Sequence, residues 1–94
     1  MARRYKPQKV ILYGSYAYGK PTYHSDIDLF IIKKTTKRWR DRFVEVKRLI
    51  YNHKNYISIS PCVCTPQEVK ERLAKGDTFI EEILTNGITL YEKK

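Results

Sequence analysis

The sequence predicts an α/β (α+β) fold in which helices flank one mixed β-sheet. Short runs of β-branched and aromatic residues alternate along the chain with segments whose apolar residues recur at helical spacing. The chain has 94 residues, which suits one small domain over residues 1–94. Hydrophobic residues make up 41% and charged residues 31%, a balance typical of a folded domain rather than a disordered one. We therefore expect the elements to pack in layers around a single core.

The first part of the chain predicts two strands that are joined by a loop. The run Val10-Ile11-Leu12-Tyr13 is rich in β-formers and stops at Gly14, which indicates a buried strand. Residues 15–25 predict a loop that can hold one helical turn. Residues 27–32, with the sequence Ile-Asp-Leu-Phe-Ile-Ile, predict the second strand.

A helix is predicted over residues 37–51, with Thr35 or Thr36 as its cap. Apolar residues at helical spacing predict its buried stripe, which consists of Trp39, Phe43, Val46 and Ile50. The other face is basic and carries Arg38, Arg40, Arg42, Lys47 and Arg48. Such a face is either solvated or a docking surface for an acidic partner or for RNA.

The second part of the chain predicts two further strands and two helices. Residues 56–64 read as a strand that Pro61 interrupts. The phrase Thr65-Pro66-Gln67-Glu68 is a capping box with proline at the first helical position, and its helix should end at Gly76. A second capping pattern begins at Thr78, and its helix should close at Asn86-Gly87 before a strand over residues 88–91.

The two cysteines and the lengths of the apolar runs indicate the cellular environment of the protein. Cys62 and Cys64 lie two apart on a predicted strand, a poor geometry for bridging each other, so we expect reduced thiols. No stretch approaches the ~20 apolar residues of a membrane span. The N-terminus also lacks the apolar core of a signal peptide. These observations predict a cytoplasmic protein with no membrane contact.

The distribution of charge is uneven along the chain. The formal net charge is +9, which first suggests a nucleic-acid-binding module. Residues 1–54 carry 14 basic and 4 acidic side chains, whereas residues 55–94 carry 5 and 6. The basic half also contains Asp26 and Asp28, the closely spaced acidic pair of that half. Acids within basic surroundings suit a metal-assisted site for an anionic substrate.

Gly14-Ser15 and Asp26-Ile27-Asp28 together form the candidate site. Residues two apart on a strand point to the same side, so the two carboxylates should lie ~6–7 Å apart. Mg²⁺ is a hard cation that could bind between such carboxylates and hold nucleotide phosphates. Gly14 allows a phosphate to approach the backbone closely, and Ser15 offers a hydroxyl and an amide. The alternative is a solvated acidic strand start beside an ordinary turn.

These motifs resemble the minimal nucleotidyltransferases of the DNA polymerase β-like superfamily, known as antitoxin partners of HEPN-domain toxins. The resemblance begins with residues 10–15 and Ser25-Asp26-Ile27-Asp28-Leu29. It continues through residues 65–68 to the closing phrase over residues 80–91, and so covers nearly the whole chain. The Gly-Ser and Asp-x-Asp spacing is its specific part.

The resemblance implies a nucleotidyltransferase fold and Mg²⁺-dependent transfer of a nucleoside monophosphate from an NTP to a hydroxyl. ATP is the expected donor, and a tyrosine of a HEPN toxin is the expected acceptor. Asp26 and Asp28 are the implied catalytic and metal-binding residues. The expected nucleotide-binding residues are Gly14, Ser15, Lys20 and Ser25, with Lys20 supplying a charge that the family often places at position 18.

The chain departs from the family pattern at the third strand, where members usually carry a third acid. Ser60 stands at that position and Ser58 is its neighbour on the same face, and neither can act as a carboxylate ligand. Whether Glu45, Glu68 or Asp77 substitutes in space is left open. A catalytically impaired antitoxin or scaffold that works by partner binding is therefore an alternative function, and a basic nucleic-acid-binding domain is another.

Two further expectations concern surfaces. Tyr16, Tyr18 and Tyr23 crowd the loop and either stack on a nucleobase or pack half-buried. Only nine residues precede the first strand, too few for a long packed leading helix, so an apolar surface is expected to be covered by a partner or in a homodimer.

Overall fold

In the part of the chain that the structure describes, the protein folds as a mixed sheet of four strands with helices on both sides. The computed structural model describes residues 5–15, 17, 19, 26–51 and 59–93. Its elements are β1 (Lys9–Tyr13), β2 (Ile27–Ile32), α1 (Trp39–Tyr51), β3 (Ile59–Cys64), α2 (Pro66–Ala74), α3 (Thr78–Asn86) and β4 (Ile88–Glu92). The strand order is β3-β2-β1-β4, with β2 and β3 parallel and β1 antiparallel to both of its neighbours. This architecture confirms the predicted fold class.

The sheet has an apolar cluster on each face because successive residues of a strand point to opposite sides. One cluster lies under α1 and includes Val10, Leu29, Ile31, Val46 and Val63. The other lies under α2 and α3 and includes Ile11, Phe30, Cys64, Val69, Ile80 and Ile83. Cys62 packs against the second cluster, so both cysteines share a face, and both are free thiols as predicted.

α1 begins at Trp39, two residues later than predicted. The Thr35 hydroxyl accepts a hydrogen bond from the Lys37 N–H at 3.1 Å, which lies before the helix rather than in its first turn. The prediction that this threonine caps the helix is therefore wrong, because its hydroxyl stabilises the preceding turn instead.

The predicted apolar stripe of α1 is also wrong in part. Val46 is buried, but the side chains of Trp39 and Phe43 are 47% and 42% exposed. Two cations lie near the Trp39 ring: the guanidinium carbons of Arg42 and Arg72 are 5.8 and 5.6 Å from its centre. Ile50 lies among the side chains that the structure does not describe.

Arg42 is buried on α1, although the sequence predicted it on the basic face, as part of a solvated or a docking surface. Its Nε donates to the Lys37 carbonyl at 2.8 Å. Its Nη1 donates to the Val63 carbonyl at 3.3 Å and to Glu68 Oε1 at 2.7 Å. A buried guanidinium requires such partners. Arg42 thus joins α1 to β3 and α2.

The caps of α2 and α3 position the helices on the second face. Thr65 Oγ1 accepts from the Glu68 N–H and Glu68 Oε1 accepts from the Thr65 N–H, which confirms the capping box. α3 is capped by Asp77 rather than by the predicted Thr78, because the Asp77 carboxylate reaches the N–H groups of Phe79 and Ile80. α3 ends at Asn86 before Gly87, as predicted.

β4 forms a margin of the described sheet. It pairs with β1 through a register that shifts between Val10 and Ile11, and all five of its residues are exposed. Ile88 and Leu90 are 46% and 57% exposed, which is high for large apolar side chains. No helix among the described residues is long and apolar enough to cross a membrane.

Candidate functional site

The two aspartates lie where β1 ends and β2 begins. Asp26 immediately precedes β2 and Asp28 is its second residue. Asp28 is the cross-strand partner of Tyr13, the last residue of β1. Gly14 follows Tyr13, so the chain leaves β1 directly beside the Asp28 carboxylate. Antiparallel pairing thus brings together the two motifs that the sequence separates by ten residues.

Gly14 lies against the Asp28 carboxylate, which leaves no space for a side chain at position 14 while the carboxylate keeps its position. Its φ of +75° lies in the left-handed region. A Cβ built on Gly14 would overlap Asp28 Oδ2 and lie 3.2 Å from Asp28 Cγ. Ser15 follows, partly exposed, and the Ala17 N–H donates to the Gly14 carbonyl at 3.1 Å, which closes a turn. The backbone therefore bends tightly around the carboxylate.

The electrostatics of the pair favour a bound cation. Burial and, second, the negative charge of Asp26 raise the pKa of Asp28 above its ordinary value. Asp26 itself is exposed. A cation near both carboxylates would offset the desolvation and the mutual repulsion that disfavour the charged form.

The donor set fits Mg²⁺ when a nucleotide completes it. Mg²⁺ is usually bound in proteins by one or two carboxylates together with waters and substrate phosphates. Asp26 and Asp28 can supply those carboxylates on one side of β2. Within the described ranges, no group of three or more His, Cys, Asp or Glu side chains could hold a metal ion. The residues thus fit a cation that is shared with a ligand rather than one enclosed by protein.

Ser60, the residue at the position where the family resemblance implies a third carboxylate, lies beside Asp28. In the parallel pairing of β2 with β3, Ser60 is the direct partner of Asp28. Its hydroxyl can donate or accept a hydrogen bond, but it carries no charge. Ser58 lies outside the described residues. The departure that the sequence suggested is therefore located beside Asp28.

The other acids that the sequence left open are engaged elsewhere. Glu45 on α1 forms ion pairs with Lys33 and Lys37, which hold its pKa below the ordinary range despite partial burial. Glu68 completes the capping box and binds Arg42. Asp77 caps α3. None of these three side chains replaces the missing acid in the structure.

Several predicted site residues fall outside the part of the chain that the structure describes. These are the nucleotide-binding candidates Lys20 and Ser25 and the loop tyrosines Tyr16, Tyr18 and Tyr23. Their predicted roles stay predictions.

An aromatic pair beside the site escaped the sequence-based prediction. The rings of Tyr13 and Phe79 meet edge to face with centroids 5.7 Å apart. Burial, followed by the negative charges of Cys62 and Asp28, raises the pKa of Tyr13 to about 12. Phe79 remains 49% exposed. In the sequence its only signal is an aromatic residue at the start of a helix, which does not reveal a neighbour on β1.

Comparisons with known proteins agree with this geometry. The family model described as polymerase beta, nucleotidyltransferase, matches residues 1–94. A Methanocaldococcus jannaschii protein named "Putative protein adenylyltransferase" is 32% identical over 87 residues, which cover 89% of this chain. The match covers 58% of that relative, so this chain spans less than two thirds of its length. No solved structure matches the chain significantly. Since the family model matches all 94 residues, the chain belongs to the polymerase beta nucleotidyltransferase family.

Proposed function

We propose that this protein is a Mg²⁺-dependent nucleotidyltransferase that moves a nucleoside monophosphate from an NTP to a hydroxyl of a partner protein. The observation that carries the proposal is the contact between the Gly14 backbone and the Asp28 carboxylate, with Asp26 adjacent. ATP is the proposed donor, which the name of the adenylyltransferase relative supports. That name also supports a protein as the acceptor.

Each residue of the site has a proposed role. Asp26 and Asp28 would hold Mg²⁺, which when bound neutralises negative charge on the phosphates. The glycine at position 14 lets the backbone lie against the Asp28 carboxylate, and Ser15 offers an amide and a hydroxyl as donors to a phosphate held there. Lys20 and Ser25 are proposed as further phosphate contacts from the family resemblance.

The proposed reaction depends mainly on positioning. The acceptor oxygen attacks the α-phosphorus, the bond to pyrophosphate breaks, and the hydroxyl proton is released. Ser60 cannot accept that proton, so the proton must pass to water or to a group of the partner. A positioned general base typically contributes about 10²- to 10⁴-fold in rate. We therefore expect slow transfer.

The proposed partner is a HEPN-domain toxin, with this chain as its antitoxin in the cytoplasm. This part of the proposal comes from the family resemblance and from the residues that carry it. A tyrosine hydroxyl of the toxin is the proposed acceptor.

The position of Ser60 favours a second candidate function. A protein that retains Asp26 and Asp28 but lacks a base can bind a nucleotide and a partner without efficient chemistry. In that case the chain would neutralise its partner by binding alone.

Covalent labelling tests the proposal. The chain, a HEPN-domain partner and Mg²⁺ are incubated with each α-³²P-labelled NTP, and label on the partner is measured. We expect label from ATP, its loss in Asp26→Asn, and its retention in the control Asp41→Asn, since Asp41 is exposed on α1. No label from any NTP would refute the transfer. Mg²⁺–ATP binding without labelling of the partner would support the second candidate. RNA binding that is unchanged in Asp26→Asn would support the nucleic-acid-binding alternative.

A further inference from the structure

We propose that Phe79 is the platform on which the nucleobase of the NTP stacks. The inference rests on the proposed function, because it assigns the base end of the same nucleotide whose phosphates would lie at Asp26 and Asp28. It gives a role to an exposed aromatic side chain that the family match does not assign.

The exposure of Phe79 is the first observation. Its neighbour Ile80 and the next-turn residue Ile83 are buried, whereas Phe79 is 49% exposed. Only part of its ring contacts Tyr13, in an edge-to-face arrangement. A large aromatic surface is thus available for a flat ligand.

The position of Phe79 relative to the carboxylates is the second observation. Tyr13 pairs with Asp28 across the sheet and precedes Gly14. Neighbouring strands lie ~4.8 Å apart, and the two aromatic centroids are 5.7 Å apart. Phe79 therefore lies next to the side chain that pairs with Asp28, on the same face of the sheet. A nucleotide with its phosphates at Asp28 would need to extend past only the Tyr13 side chain to bring its base to the Phe79 ring.

The backbone of Phe79 is held before any ligand binds. The Asp77 carboxylate accepts from the Phe79 N–H at 3.0 Å and from the Ile80 N–H at 3.2 Å. Ile80 is fully buried in the core. Such a fixed platform lowers the cost of ordering on binding.

Stacking also predicts the pattern of specificity. Every nucleobase has a π-face, so stacking tolerates differences between bases. Phe79 should therefore contribute to the affinity for all four NTPs and contribute nothing to inorganic triphosphate, which has no base.

Calorimetric titration with Mg²⁺–ATP and with Mg²⁺–triphosphate tests the proposal. Phe79→Ala should weaken ATP binding about 5- to 100-fold, the usual effect of losing one stacked base. Triphosphate binding should not change, and Phe79→Trp should retain ATP affinity. Phe43→Ala is the matched control, because Phe43 is a 42% exposed aromatic residue on α1 and its loss should affect neither ligand. If Phe79→Ala does not fold, Phe79→Leu keeps apolar volume and removes the aromatic face.

Two results would overturn the inference. Unchanged ATP affinity in Phe79→Ala and Phe79→Leu would show that the ring does not contact the base. Equal weakening of ATP and triphosphate would show that Phe79 acts only by positioning Tyr13 and Asp28. Absence of a nucleotide site is distinguishable from both, because the wild-type protein would then bind neither ligand, and absence of transfer alone is detected by the labelling experiment.

Discussion

Comparison of Gly14→Ala with Gly76→Ala separates the cost of backbone strain from an effect on the Asp28 carboxylate. Gly14 and Gly76 have nearly the same left-handed φ, +75° and +79°. An alanine at either position should cost about 1–2 kcal/mol in backbone strain. A Cβ at Gly76 would meet nothing within 4 Å, whereas one at Gly14 would overlap Asp28 Oδ2. Gly76→Ala is therefore a control for the backbone term alone.

The geometry also limits the additional cost at Gly14. The added methyl would lie 3.5 Å from Asp28 Cβ, an ordinary contact, and 3.2 Å from Asp28 Cγ, so the side chain must shift slightly but the β2 backbone need not move. Rotation of the carboxylate relieves the overlap and costs about 0.5–1.5 kcal/mol if it leaves its preferred rotamer. Gly14→Ala should therefore destabilise the fold by only that much more than Gly76→Ala. Nucleotide affinity should fall about tenfold or more, since misplacing groups that orient a metal costs that much.

Urea unfolding and calorimetry with Mg²⁺–ATP measure the two effects on the same samples. We expect Gly14→Ala to be less stable than Gly76→Ala by no more than about 1.5 kcal/mol, and we expect loss of nucleotide affinity in Gly14→Ala alone. If both variants bind Mg²⁺–ATP as the wild type does, the close contact of Gly14 with Asp28 has no role in binding.

Two further substitutions test other parts of the structure. Ser60→Asp places a carboxylate ~5 Å from Asp28, so without divalent cations the free energy of unfolding should fall by about 1–3 kcal/mol. Mg²⁺ should restore the free energy of unfolding, and labelling of the partner should rise. If Mg²⁺ does not change the stability of this variant, the pairing of Ser60 with Asp28 is contradicted. Arg42→Ala should cost about 2–4 kcal/mol by urea unfolding, against less than ~0.5 kcal/mol for the exposed control Arg40→Ala. Burial raises the pKa of Glu68, but the Thr65 N–H and the Arg42 guanidinium outweigh it, so the net pKa is lowered. The stabilisation from the Arg42–Glu68 ion pair should therefore be present at neutral pH and be lost progressively below pH ~4.3. If Arg42→Ala lowers the free energy of unfolding equally at pH 3 and at neutral pH, this pH dependence is refuted.

The elements that the sequence predicted well are those that local chemistry determines. β2 has the predicted bounds because a short apolar run follows the loop directly. α2 begins as predicted because Thr65 and Glu68 satisfy each other within one turn. The burial of Arg42 was not predictable, since it depends on the Val63 carbonyl and on Glu68, which are distant in sequence.

The candidate site likewise has features that could be predicted from the sequence and features that required the structure. The proximity of Gly14 to the aspartates was predicted from the residues and from the family spacing. Ser60 was identified from the family spacing as the residue at the position of the third acid, but its direct pairing with Asp28 required the strand register. The contact between Phe79 and Tyr13 required the docking of α3 on the sheet, a tertiary event without a local signal.

The exposed strand β4 makes ionic strength a variable in every binding experiment on this protein. An apolar strand at a sheet margin is a template for pairing with another chain. A net charge of +9 opposes the approach of a second copy. Salt weakens that opposition, because the screening length is only about 10 Å at 0.1 M. Self-association through Ile88 and Leu90 is therefore expected to compete with partner binding in concentrated, salty solutions and to recede in dilute, low-salt ones.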